Sequence, residues 1–418
     1  MLNLCSLYNF KIRFYNFEMP IYDIRDIFET LARTFIVILQ QINQPNNMKR
    51  SLYILSGLIP ILSACSASHV IEVTNPTPLD RHEIVEISRA DLLKIRDDDS
   101  FSLYDNNGKE IPYQITHDDK IVFPVSVKGN GKTQVTVNDD KPSPSDTVCC
   151  GAFYPERKDD LAWENDHAAY RAYGPALQAS GEQAYGYDIW TKSIVRPVVR
   201  QRYEDAFTKD VNFHEDHGNG MDVYSVGPTL GGGTAALVDS TGNIVYPECF
   251  SSHEILDNGP LRFCVRLKYD SGETRLITLD AGEYLNKTCV SYSHPYCSTV
   301  APGIVIHSQN PEGYELAPEN SYMAYADLTD NADNGNGVIF VGVVTPQVDS
   351  MLNVPLDEPR GDAIGHILAK RAYKHGDRFT YYWGSGWSKG DMPDWQTWKQ
   401  YLADFSIRIS YPLNVSIK

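Results

Sequence analysis

Several familiar signatures are missing from this chain. It has no phosphate-binding loop and no dinucleotide fingerprint; Gly231-Gly232-Gly233 lacks both the spacing and the following helix. There is no internal repeat, which excludes the solenoid and propeller architectures that depend on one. No Cys-x-x-Cys pair occurs, which argues against a zinc site built from cysteines. Positive charge is in deficit, with 37 Lys and Arg against 54 Asp and Glu and a net charge of -17. Phosphate binding needs a basic surface, so nucleic acid is excluded as a partner. Any anionic substrate must be drawn in by a local cationic pocket.

Helical periods are also few, and Met occurs only 7 times. What the chain has instead is 26 Tyr, 29 Gly and 24 Pro, a balance that suits many short strands joined by tight turns. Its 418 residues exceed one simple core and fit two β-rich units.

The first segment reads as a targeting signal. Met48 is followed by basic Lys49 and Arg50, and 51–62 is an apolar run too short to span a bilayer comfortably. Leu62-Ser63-Ala64-Cys65 resembles the bacterial lipobox, whose cysteine takes lipid after cleavage. Residues 1–47 therefore read as a start placed too far upstream, and 48–65 as a lipoprotein signal peptide. The expected location is the bacterial periplasm or outer membrane, lipid-anchored at Cys65. Six further cysteines (Cys149, Cys150, Cys249, Cys264, Cys289 and Cys297) have an exported setting that permits disulfides, although a domain this large does not need them.

Alternating stretches at 70–74 and 83–87, a hairpin around Asp105-Asn106-Asn107-Gly108, and further strands to 137 predict a small β-sandwich over 66–145. Lys141-Pro142-Ser143-Pro144-Ser145 is the clearest linker. Beyond it, 146–418 reads as a large antiparallel two-sheet unit, with strands expected at 195–203, 234–238, 261–269, 274–279, 288–293, 303–307, 322–326 and 337–344. Asp394 to Asp404 has helical spacing and is expected to cap the sheets. The fold class is thus all-β.

Three polar clusters stand out. Phe213 to Tyr224 holds His214, Glu215, Asp216, His217 and Asp222 among glycines, too polar for a core and able to approach a ligand closely. Trp163, Glu164, Asn165, Asp166 and Arg171 combine an aromatic face with a carboxamide and carboxylates, the means by which sugars are gripped. Phe379 to Gly390 interleaves aromatics with glycines and reads as an open aromatic surface rather than a compact strand, with Trp387 as a sugar platform and core packing the plainer reading for Trp383.

Four strings together resemble the family of domain of unknown function 4861, common among lipoproteins of Bacteroidetes. They are Asp160-Leu161-Ala162-Trp163-Glu164-Asn165-Asp166, His214-Glu215-Asp216-His217-Gly218-Asn219-Gly220-Met221-Asp222, Leu256-Asp257-Asn258-Gly259-Pro260 and Tyr381-Tyr382-Trp383-Gly384-Ser385-Gly386-Trp387-Ser388-Lys389. The resemblance implies a galactose-mutarotase-like supersandwich and encoding beside polysaccharide-degrading enzymes. It also implies an activity like that of an oligosaccharide dehydratase, which removes water from the non-reducing-end uronic acid of ulvan-type fragments and leaves a 4,5-unsaturated sugar.

Such a β-elimination needs a neutralised carboxylate, a base for the C5 proton and an acid for the oxygen leaving C4. His214 or His217 suits the base, and Tyr224 or the other histidine the acid; Asp222 is counted with them in the catalytic set. Arg171 is the first choice for clamping the carboxylate and Lys389 the second. Trp163, Asn165, Asp166 and Trp387 complete the expected substrate contacts, the substrate being an anionic oligosaccharide. No cofactor is required, although His214, His217 and a carboxylate also suit a divalent metal, and Asp and Asn oxygens a structural calcium. Two rivals remain open: a glycoside hydrolase using a pair among Glu164, Asp166, Glu215, Asp216 and Asp222, and a glycan-binding lipoprotein without catalysis.

Overall fold

Alternating apolar residues dictate the first layer. Ile71 and Val73 point inward from strand His69–Thr74, as do Val135 and Val137 from Lys132–Asn138, and the two strands pair antiparallel. In this computed structural model the described residues are 69–94, 100–295, 297–330 and 332–418. The upstream start and the signal peptide expected over 1–65 lie outside them. Ser68–Lys418 forms a single compact unit.

Within that unit the small sandwich is a five-stranded sheet facing a three-stranded one. Its edge is the last strand of the chain, Asn414–Ile417, which pairs with His69–Thr74 and packs Val415 and Ile417 against the sandwich core. The first and last strands among the described residues therefore pair, so the sandwich is not drawn from 66–145 alone.

The larger part is an antiparallel supersandwich, and every paired strand among the described residues is antiparallel except for one isolated parallel bridge between Tyr187 and Gly231. An eight-stranded sheet runs from Ser252–Asn258 at one edge to Tyr314–Ala317 at the other; a five-stranded sheet centred on Thr299–His307 lies against it. Their inward faces share one core, in which Val265, Ile277, Val290, Ile304, Val341 and Ile367 are wholly buried. A four-stranded sheet, Cys150–Tyr154 to Asp188–Thr191, closes one end. The helix expected near the C terminus runs Trp395–Ser410, capped where Asp394 Oδ1 accepts from Thr397 N at 2.8 Å. No helix among the described residues is long and apolar enough to cross a membrane.

Two expectations are corrected. The stretch 195–203 is not a strand: a helix runs Val199–Lys209, burying Val199, Arg202 and Tyr203 at helical spacing. Its first turn is held by the Glu164 carboxylate, which accepts from Val198 N and Val199 N at 2.8–2.9 Å. Nor is 379–387 an open aromatic surface. Phe379–Trp387 is a strand inside the eight-stranded sheet, with Trp383 fully buried and Trp387 3 % exposed. Its glycines serve close packing: a Cβ at Gly384 would lie 2.0 Å from the Tyr284 carbonyl oxygen.

Candidate functional site

The polar loop after Phe213 is pinned at both ends. Arg202 donates to the carbonyls of Thr191 (2.9 Å) and Asn219 (2.6 Å), and Asp222 N donates to Phe213 O at 2.9 Å. Gly220 has φ +95°, and a Cβ there would meet Thr191 O at 2.2 Å, so only glycine lets the loop lie on the four-stranded sheet. Farther on, Asp330 N donates to Val223 O, and Ser225 Oγ to Asp362 Oδ1.

Beneath the loop lies a buried ionic cluster. Arg171 donates to Asp222 at 3.1 Å and Asp160 at 3.5 Å, pairs with Asp188, and lies against the rings of Tyr173 and Trp190. Asp160 also accepts from Tyr203 Oη at 3.0 Å, and Asp188 from Trp190 Nε1 at 3.0 Å. One guanidinium thus faces three carboxyl groups. Burial, then the charge of Asp188, pushes Asp222 well above the usual carboxylate range, and burial also raises Asp160. Arg171, expected to clamp a substrate carboxylate, is corrected here: it is 5 % exposed and its charge is already committed.

His214 sits over this cluster at the surface, its side chain half exposed and 3.8 Å from Asp222 Oδ2. Its Nδ1 lies 2.7 Å from the Asp222 carbonyl oxygen. A carbonyl can only accept, so Nδ1 carries the hydrogen and Nε2 is the basic nitrogen. His217 is anchored the other way round, Nε2 donating to Asn212 O at 2.9 Å, and it stands farther out on the exposed turn. Glu215 and Asp216 are exposed on the same turn.

The rest of the expected set divides. Asp330 N donates to Val223 O, while farther along the chain Trp387 Nε1 donates to Asn336 O (2.8 Å) and Lys389 Nζ to Gly335 O (2.9 Å). Lys389 is exposed and has no carboxylate partner among the described residues. Trp163 and Trp387, expected to cover sugar faces, are core residues, Trp163 donating to Asn286 Oδ1 at 2.8 Å. Asn165 is spent on the carbonyls of Asp280 and Glu283, and Asp166 on Gly282 N. Glu164 holds Lys192 Nζ at 2.7 Å besides its helix amides.

Tyr224 is buried, and its hydroxyl has no hydrogen-bond partner among the described residues. Its ring meets His307 edge-on at 5.9 Å between centroids. His307, unforeseen from the sequence, ends strand Thr299–His307 beside a register shift that turns it toward Asp327 of the other sheet. The signal in sequence was weak: a titratable residue closing each of two apolar strands. As for metals, His214 and His217 do not converge with a carboxylate. Among the described residues, the ligand atoms that come together are those of His117, Asp257 and Cys264.

Comparison with known proteins finds a match to the domain of unknown function DUF4861 across residues 73–415. Uncharacterized protein P7 of Formosa agariphila is 26% identical over 392 residues, covering 86% of this chain and 96% of that protein. Among solved structures, a protein in the glycosyl hydrolase family 38 from Enterococcus faecalis aligns with TM-score 0.44 at 9% identity, over 85% of this chain and 48% of that one. An alpha-mannosidase from Enterococcus faecalis V583 aligns with TM-score 0.42, again at 9% identity, over 88% and 48%. The chain spans about half the length of these two structures.

Proposed function

This chain belongs to the DUF4861 family, and we propose that it is a carbohydrate-active enzyme that eliminates across C4 and C5 of a non-reducing-end uronic acid. The observation that carries this reading is His214: an exposed imidazole, its tautomer set by the Asp222 carbonyl, over the buried cluster of Arg171 and its carboxyl groups. Nε2 takes the C5 proton, the electron pair forms the C4–C5 double bond, and the oxygen at C4 departs. In a syn elimination the same imidazolium returns its proton to that oxygen, so one group serves as base and acid. Lys389 neutralises the sugar carboxylate and makes the C5 proton acidic, the role Arg171 has no free charge to fill. A hydroxyl leaving group makes the enzyme a dehydratase; a glycosidic oxygen makes it a lyase. The hydrolase alternative is weakened because Glu164 and Asp166 are already bound to protein groups.

The test is incubation with uronate-ended oligosaccharides while near-ultraviolet absorbance and product mass are followed. Elimination yields a conjugated double bond and, for a dehydratase, loss of one water. His214→Gln is expected to abolish turnover with its melting temperature kept, His217→Gln to retain it, and Lys389→Met to raise KM. Full activity in His214→Gln, or products that gain water without absorbing, would sink the reading.

A further inference from the structure

The string Leu256-Asp257-Asn258-Gly259-Pro260 plays no part in the chemistry above, yet the fold gives Asp257 an unusual setting. Strands Ser252–Asn258 and Arg262–Lys268 pair as a hairpin in which Ile255 faces Val265 and Asp257 faces Cys264. The register shift between Ile255 and Asp257 absorbs Leu256. Without that bulge Leu256 would stand opposite Cys264; with it, a carboxylate shares a face with a thiol. From the small sandwich the turn before strand Lys120–Val127 brings in His117, whose backbone N donates to Asp257 Oδ1 at 2.7 Å, with Nδ1 2.7 Å from Oδ2. The ligand atoms of His117, Asp257 and Cys264 all lie within 4.8 Å of one another.

We propose that His117, Asp257 and Cys264 form a binding site for a zinc-type divalent cation that joins the small sandwich to the supersandwich. The donor set decides the class of ion. Imidazole nitrogen with thiolate sulfur favours zinc and similar borderline metals, and disfavours calcium and magnesium, which want oxygen alone. Tetrahedral zinc holds such donors at about 2.0–2.3 Å, so the three groups need close by only about 1 Å. Thr278 Oγ1 lies 3.5 Å from Cys264 Sγ and donates to it, the kind of outer contact that steadies a metal thiolate. His117 is the adjustable ligand, its side chain partly exposed, while Asp257 and Cys264 are buried in the sheet.

All three residues line a cavity of about 450 Å³ between the small sandwich, the eight-stranded sheet and the C-terminal helix. Three protein ligands leave a fourth position open toward that space, where water or an anionic oxygen completes the sphere. On binding, the Cys264 thiol and the imidazole N–H lying between His117 and Asp257 must be given up as proton donors. The thiol proton goes to solvent, and the imidazole moves its hydrogen to Nε2, leaving the Nδ1 lone pair for the metal.

Cobalt(II) alone is the probe, titrated into the purified, metal-stripped protein. One equivalent is expected to give a near-ultraviolet thiolate-to-cobalt charge-transfer band and to be displaced by zinc(II). Cys264→Ser removes the band, and His117→Ala, on an exposed turn, weakens affinity by at least about tenfold, the least that loss of a supporting outer contact costs. Melting curves taken beside each titration verify that the variants are folded. A wild type without the band, or a band unchanged in Cys264→Ser, overturns the proposal and leaves His117–Asp257 as a hydrogen bond between lobes. Because the readout is spectroscopic, the result stands apart from the outcome for His214.

Discussion

His307 Nδ1 stands 2.6 Å from Asp327 Oδ2, with both side chains buried where the two large sheets meet. Burial alone would lower the imidazole pKa, but the Asp327 charge and hydrogen bond outweigh it and the group is raised. A histidine raised in the folded state contributes stability that is complete below its unfolded pKa, about 6.5, and fades as pH climbs through the folded value. Asp327→Asn keeps the shape and removes the charge. Urea unfolding is expected to find the wild type ahead by about 3–5 kcal/mol near pH 6, with the gap narrowing toward pH 9. A gap that is flat or widens with pH would refute this account.

Arg171 is expected to govern stability rather than substrate affinity. Arg171→Met leaves Asp160, Asp188 and Asp222 buried without their cation, a loss of about 3–5 kcal/mol in chemical denaturation. Arg171→Lys should recover only part, since an ammonium cannot match a planar fork held by three carboxyl groups. A well-folded Arg171→Met protein whose only defect is a raised KM would return Arg171 to the substrate.

Tyr224→Phe tests the buried hydroxyl. An unpartnered polar group in the core costs about 1–3 kcal/mol, so its removal should leave the melting temperature unchanged or raise it. Turnover on a uronate substrate is expected to stay within about threefold, because the group is buried away from solvent. A fall of about 100-fold with an unaltered melt would move the acid role to Tyr224.

Two glycines separate backbone strain from crowding. Gly218 has φ +89° with nothing within 4 Å of a Cβ, whereas Gly231 has φ +54° and a Cβ there would lie 2.3 Å from Tyr187 O. Gly218→Ala is expected to cost about 1 kcal/mol and Gly231→Ala distinctly more, since the second also displaces packed backbone. Equal losses in a thermal melt would contradict the close approach.

Much of the fold was legible in the chain. Alternation marked Ile71 and Val73 as inward-facing, the spacing of Trp395, Trp398 and Leu402 marked a helix, and the turn dipeptides marked hairpins. Val198 and Val199 misled, because β-branched residues suggest a strand where a buried helix face and the Glu164 carboxylate decide for helix. Trp387 misled for a related reason. Glycines beside a tryptophan read equally as openness or as room for a neighbour, and only the packed sheet distinguishes them.

By itself the sequence determined the all-β class, the family and the polar loop that carries His214, since these depend on local alternation, turn chemistry and contiguous strings. Tertiary structure alone decided that Arg171 is spent on three aspartates, that His307 meets Asp327, and that Asp257 faces Cys264 beside His117. Each of those pairings joins distinct strands or loops. Strand register and sheet stacking set them, and no local pattern of residues encodes either.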